Sequence, residues 1–146
     1  MRKINNIVVH CSATREGCTL TSEALEAEHR RRGFRTTGYH YYIRRDGTVL
    51  GTRSLELPGA HCRGHNKYSI GICYEGGLDA RGNPKDTRTP EQRSALHLLV
   101  YQLLQQFRNA RVCGHRDLSP DLDGDGKVEP REWVKQCPCF EVSKEF

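Results

Sequence analysis

Short apolar runs alternate along this chain with turn-rich polar stretches and two longer segments of helical period. Ile7-Val8-Val9 follows two asparagines as an unbroken apolar run, the pattern of a buried strand, and its end delivers His10 to the edge of a sheet. Tyr39 to Ile43 and Val49-Leu50 flank Arg45-Asp46-Gly47-Thr48, in which Asp-Gly supplies the residues of a hairpin turn. Tyr68 to Tyr74, containing Ile70-Gly71-Ile72-Cys73, reads as a further strand. Arg111-Val112-Cys113 reads as a last short one leading to His115.

Two segments carry helix signals. Thr21-Ser22-Glu23 opens an amphipathic helix with Leu25 and His29 on one face, and Gly33 ends it. Thr89-Pro90-Glu91-Gln92 combines an N-cap threonine, a proline at the first helical position and a glutamine three residues on. Leu96, Leu99, Val100, Leu103, Leu104 and Phe107 then form a wide apolar stripe suited to packing on a sheet. Gly76 to Arg88 is a polar loop, and Pro130 to Lys135 fits one or two helical turns. Strands interleaved with helices predict an α/β fold: a single domain over residues 1–146, with a central mixed β-sheet flanked by helices and the site at the carboxyl end of that sheet.

The chain of 146 residues is long enough to bury one core without disulfide staples. Twenty-three Lys and Arg against 18 Asp and Glu give a net charge of +5, which suits a polyanionic partner. Arg30-Arg31-Arg32 is the one basic cluster, and cations there complement a helix C-terminus. No stretch approaches the roughly 18 apolar residues of a membrane span, so no membrane insertion is expected. The N-terminus has a basic start but runs straight into a strand containing Asn and His, unlike a signal peptide, which predicts synthesis in the cytoplasm. Seven cysteines without a secretion signal argue for reduced thiols and for cysteine as a metal ligand.

His10, His115 and Cys137 each sit just beyond a strand or on a loop. Imidazole and thiolate are Zn²⁺ donors, and three protein ligands that leave one position open define a catalytic site. Ligands so far apart in sequence cannot form a zinc finger, and spacing alone does not distinguish this triple from packed or surface histidines.

The flanking residues carry more. Val8-Val9-His10-Cys11-Ser12-Ala13-Thr14, Gly38-Tyr39-His40-Tyr41-Tyr42-Ile43 with Asp46-Gly47-Thr48-Val49, Gly59-Ala60-His61, Asn66 with Ser69-Ile70-Gly71-Ile72, Gly114-His115 and Lys135-Gln136-Cys137-Pro138 follow one another from residue 7 to about 140. In this order they resemble the zinc-dependent N-acetylmuramoyl-L-alanine amidases of the peptidoglycan recognition protein superfamily, especially the short lysozyme-type amidases of phages. The resemblance implies that His10, His115 and Cys137 hold Zn²⁺, that Tyr39 is the active-site tyrosine and that Lys135 is the catalytic lysine. It places His61 and Asn66 near the substrate groove, and implies cleavage of the lactyl amide between N-acetylmuramic acid and L-alanine in peptidoglycan. His29, His40, His65 and His97 read as structural. Cys11, Cys73 and Cys113 look like small buried hydrophobes. Cys139 is the alternative ligand to Cys137, which the Lys-x-Cys-Pro spacing favours.

A second constellation stands on spacing alone. Asp121-Leu122-Asp123-Gly124-Asp125-Gly126-Lys127-Val128-Glu129-Pro130-Arg131-Glu132 fits the twelve-residue calcium loop. Asp121, Asp123 and Asp125 take ligand positions 1, 3 and 5, Gly126 the sharp turn, Lys127 the backbone carbonyl and Glu132 the bidentate twelfth position. The competing reading is an acidic surface turn. No good helix precedes the loop, so Ca²⁺ here would be a solitary clip, an insertion at residues 121–132 relative to the short phage amidases that orders the segment carrying Lys135 and Cys137.

Three functions compete. A zinc amidase uses every residue named. A non-catalytic peptidoglycan-binding module on the same scaffold has no need of the cysteine. A nucleic-acid-binding protein with structural zinc requires clustered Lys and Arg and paired Cys/His spacings, so nucleic acid is not an expected partner. A monomer that acts on the cell wall after release is the expectation.

Overall fold

β1 (Asn6–Cys11) lies inside a five-stranded sheet in the computed structural model, which describes residues 1–146. The sheet order is β4-β3-β5-β1-β7, with β3 (Tyr41–Ile43), β4 (Val49–Gly51), β5 (Ser69–Tyr74) and β7 (Arg111–Gly114). β1 pairs in parallel with β5 and β7, β3 pairs in parallel with β5, and only the β3–β4 hairpin is antiparallel. The sheet is mixed, as expected. α1 (Ser22–Arg31) and α2 (Pro90–Gln106) complete the layers.

Side chains of a strand alternate between the two faces of its sheet. Ile7, Val9 and Cys11 of β1 and Ile70, Ile72 and Tyr74 of β5 share a core with Leu96, Leu99, Val100 and Leu103 of α2. The apolar stripe of α2 therefore covers one face. His10 of β1, and Ser69, Gly71 and Cys73 of β5, belong to the opposite face, where Leu25 of α1 packs with Tyr42 and Cys73. The register sets His10 beside Cys73 and Val8 beside Gly71. The alternation thus assigns bulk to one face and chemistry to the other.

Both helix starts follow their signals. The Thr21 side chain accepts the Ala24 N–H, and Thr89 and Gln92 close a reciprocal capping box. Gly33 takes φ +94° just past the C-cap Arg32, a conformation that only glycine adopts without strain.

Four details differ from the sequence reading. Tyr39 precedes β3 instead of lying in it. The Gly76–Arg88 loop contains a two-residue strand, β6 (Gly77–Leu78), paired in parallel with β2 (Thr14–Arg15). The helical segment expected over Pro130 to Lys135 is a single 3₁₀ turn, Pro130–Glu132, within the calcium-type loop. Gln92, a polar residue, is fully buried, and its amide donates to the carbonyls of Ile43 and Glu75. All seven cysteines are free thiols.

Candidate active site

Four segments converge at the carboxyl end of β1 on the α1 side of the sheet. His10 is 1% exposed. His115 opens a 3₁₀ turn (His115–Leu118) directly after β7, so the β1–β7 pairing fixes its approach. Cys137 arrives on the C-terminal segment. Its carbonyl accepts the Arg116 N–H at 2.9 Å, and the carbonyl of Pro138 accepts the Tyr74 hydroxyl at 2.6 Å. Gly114 permits this close approach, because a Cβ there would lie 2.6 Å from the Pro138 ring.

The result is a cluster in which one ring nitrogen each of His10 and His115 and the Sγ of Cys137 lie within 4.8 Å of one another. The two imidazole rings are 4.7 Å apart. Burial holds His10 well below the ordinary histidine range, so its ring is neutral, the form that ligates metals. The Cys11 amide N–H points at the Cys137 Sγ from 3.1 Å and fixes where the sulfur sits. Two imidazoles and a cysteine sulfur are the donor chemistry of Zn²⁺. Cys139, the alternative ligand, is not part of this cluster, and its Sγ lies 4.0 Å from that of Cys11.

Tyr39 stands over the cluster, its ring 5.1 Å from that of His10 and 5.4 Å from that of His29. Its main-chain carbonyl accepts the hydroxyls of Thr37 and Thr52, which pins the residue just ahead of β3. Burial pushes its hydroxyl well above the ordinary tyrosine range, so it is a proton-bearing donor at neutral pH. Lys135 is exposed at the rim and pairs with no carboxylate; it lines both the cavity over His10 and an adjoining groove.

His61 and Asn66 line that groove and make specific contacts. His61 Nδ1 is 2.8 Å from His10 Nε2, and its Nε2 is 3.1 Å from the Ser69 hydroxyl. Asn66 Oδ1 accepts the backbone N–H groups of His61 and Cys62. Burial lowers His61 to about 3, which keeps its ring neutral. Arg32, Phe34 and Arg63 also line the groove and were not expected there. Arg32 stood out only as one of three helix-end cations, and Arg63 carried no sequence signal.

Of the residues expected to be structural, His40 is fully buried and accepts the Gly71 N–H at Nδ1. His29 accepts the Gly38 N–H, and its ring reaches Tyr39.

Away from this cavity, carboxylate oxygens of Asp121, Asp123, Asp125 and Glu132 also lie within 4.8 Å of one another. Glu132 is buried and accepts the N–H groups of Leu122, Asp123 and Glu129, whereas the three aspartates are exposed. Gly126 takes φ +85° at the turn, and Arg131 pairs with Asp123 and Glu129.

The α/β sheet brings together, at one end, His/His/Cys donors that could hold a metal ion. The N-acetylmuramoyl-L-alanine amidase family matches residues 1–138, and the chain belongs to this family. Its relatives include the endolysin of Klebsiella phage KP32, 35% identical over 143 residues (98% of this chain and 85% of that protein). The endolysin of Escherichia phage T7 is 33% identical over 138 residues, covering 94% and 82% respectively. Among solved structures, the N-acetylmuramoyl-L-alanine amidase LysC from Clostridium intestinale aligns over 99% of this chain and 82% of its own, with TM-score 0.75 and 26% identity. The peptidoglycan recognition protein PGRP-SA of Apis mellifera shares the fold, with TM-score 0.73 at 21% identity over 99% of this chain and 82% of its own.

Proposed function

We propose that the chain is a peptidoglycan amidase that hydrolyses the bond between N-acetylmuramic acid and L-alanine, with Zn²⁺ held by His10, His115 and Cys137. The observation that carries this reading is the convergence of those three donors within 4.8 Å at the sheet end, beneath Tyr39. Family membership and the endolysin relatives support the substrate.

Zn²⁺, when bound, supplies a Lewis acid that polarises the scissile carbonyl and activates water for attack. The remaining work falls to the protein. Hydrolysis places negative charge on the former carbonyl oxygen, and a donor aimed at that charge stabilises the transition state more than the ground state. Tyr39, protonated and fixed by Thr37 and Thr52, is suited to that role. Lys135, at the rim with no carboxylate partner, adds positive charge beside the site and is suited to supply a proton to the leaving amine. The groove beside Lys135, with Arg32, Arg63 and Asn66, offers cations and an amide to the peptide portion.

The loop 121–132 takes Ca²⁺ through Asp121, Asp123, Asp125, Glu132 and the Lys127 carbonyl. Four convergent carboxylates in this spacing support that reading. Ca²⁺ there orders the connection between His115 and Cys137 and has no part in the chemistry. The chain acts as a monomer and one domain, on the cell wall after release from the cell that makes it.

The test is clearing of a purified cell-wall suspension. Zinc-loaded protein lowers turbidity, chelation stops it, zinc restores it and Tyr39→Phe is strongly impaired. Binding to the wall without clearing at full zinc occupancy would instead make the chain a recognition module.

A further inference from the structure

His61 is built into the sheet with unusual care. Its ring lies over Gly71 of β5, where a Cβ would come within 2.7 Å of its Cγ and Cδ2. A Cβ at Gly59 would likewise come within 2.4 Å of Cδ2. The two glycines therefore leave the room that the imidazole occupies. The main chain is fixed as well, since Asn66 Oδ1 accepts the N–H groups of both His61 and Cys62 at 3.0 and 2.9 Å. Besides lining the groove, this ring reaches inward, its Nδ1 2.8 Å from His10 Nε2 and its Nε2 3.1 Å from the Ser69 hydroxyl.

The face alternation explains why these groups meet. His10, Gly71 and Ser69 occupy the same side of neighbouring parallel strands, with Asn6 opposite Ser69 and His10 opposite Cys73 in the register. The ring spans the gap from the β5 start to the β1 end.

A neutral imidazole has one donor and one acceptor nitrogen, and a partner on one nitrogen decides which is which. Donation from His10 Nε2–H to His61 Nδ1 would leave His10 Nδ1 unprotonated, the form a metal ligand requires. His61 Nε2–H then donates to Ser69. No ring nitrogen of His61 belongs to the cluster formed by His10, His115 and Cys137, so His61 meets a candidate ligand without being one. We propose that His61 is a positioning residue that fixes the tautomer and orientation of His10 for Zn²⁺, and that Asn66, Gly59, Gly71 and Ser69 form its mount. This rests on the zinc reading above.

The test measures zinc affinity by competition with a chromophoric chelator, alongside the melting temperature of each zinc-free protein. His61→Ala should weaken zinc binding by about 10–100-fold, the usual effect of losing a partner behind a ligand. His61→Asn, whose amide oxygen sits where Nδ1 was and accepts the His10 N–H, should recover most of that loss. Ser69→Ala should give a smaller loss of the same sign. If His61→Ala does not fold, the Asn and Ser69 variants decide between wild-type and weakened affinity. Zinc binding within about threefold of wild type in the folded variants, with only a raised KM on cell walls, would overturn the proposal and return His61 to the groove. Failure of the wild type to bind zinc would instead overturn the metal reading on which it stands.

Discussion

The Cys11 amide N–H lies 3.1 Å from the Cys137 Sγ, joining the end of β1 to a segment more than a hundred residues later in the chain. The contact holds the sulfur at the cluster it shares with His10 and His115. Cys137→Ser keeps the size but not the soft anionic donor. Its zinc affinity should fall by more than the roughly 10–100-fold expected for a supporting residue. Chelator competition checks this, and wild-type affinity in the serine variant would exclude Cys137 as a ligand.

Tyr39→Phe separates chemistry from metal binding. The hydroxyl contacts the Cys73 thiol, which is not one of the three clustered donors, so its loss leaves those donors in place. Removing one oxyanion donor costs about 10²–10³ in kcat. Steady-state rates on cell-wall fragments should show that loss with KM little changed, because the interaction is made chiefly in the transition state. A raised KM at unaltered kcat would make Tyr39 a binding residue.

Calcium should act on stability alone. With zinc saturated, Ca²⁺ at 100 times its Kd stabilises by about 2.7 kcal/mol, a rise of roughly 5–10 °C in Tm for a chain of this size. Asp121→Asn combined with Asp125→Asn should remove the rise. A wild-type Tm indifferent to Ca²⁺ would leave loop 121–132 an acidic turn held by Glu132 and Arg131.

Glu75 gives the fold a built-in acid sensitivity. It is 1% exposed, and its carboxylate accepts Arg44 Nε at 2.8 Å and the N–H groups of Leu20 and Arg45 at 2.7 and 3.0 Å. Burial alone would raise its carboxyl, but the Arg44 guanidinium and the two amides outweigh burial and hold it below the ordinary range. A group depressed in the folded state stabilises at pH above its unfolded value, near 4.3, and that stability is lost as pH falls through the folded value. Glu75→Gln should therefore cost about 1.5–3 kcal/mol at pH 7. The deficit should shrink below about pH 4. Urea midpoints from pH 7 to 3 measure it, and a deficit constant with pH would contradict this.

Much of the architecture was legible because its signals are local. The Thr89-Pro90-Glu91-Gln92 start and the stripe through Leu96 and Leu103 specify α2 without reference to the rest of the chain. The unbroken apolar run Ile7-Val8-Val9 specifies a buried parallel strand. β2 and β6 were not legible, since two residues carry no period. Gln92 was read as a helix start but not as buried, because its satisfaction depends on the carbonyls of Ile43 and Glu75, distant in sequence.

The site was legible by resemblance and not by spacing: His10, His115 and Cys137 are brought together by the β1–β7 pairing and the Arg116–Cys137 hydrogen bond, neither of which leaves a local pattern. Tyr39 and Lys135 came from the same resemblance and lie beside the cluster. His61 and Asn66 were placed near the groove, but the inward reach of the His61 ring follows from the room that Gly59 and Gly71 leave, which exists only once β5 is in register with β1.

The most direct test of the amidase reading is the mass of the products released from purified peptidoglycan. Zinc-loaded protein should release stem peptides bearing a free L-alanine amine and leave intact glycan strands, and Cys137→Ala should release none. Glycan fragments still carrying their peptides, or peptides cut at an internal bond, would show that the scissile bond is not the muramoyl–alanine amide and contradict the account.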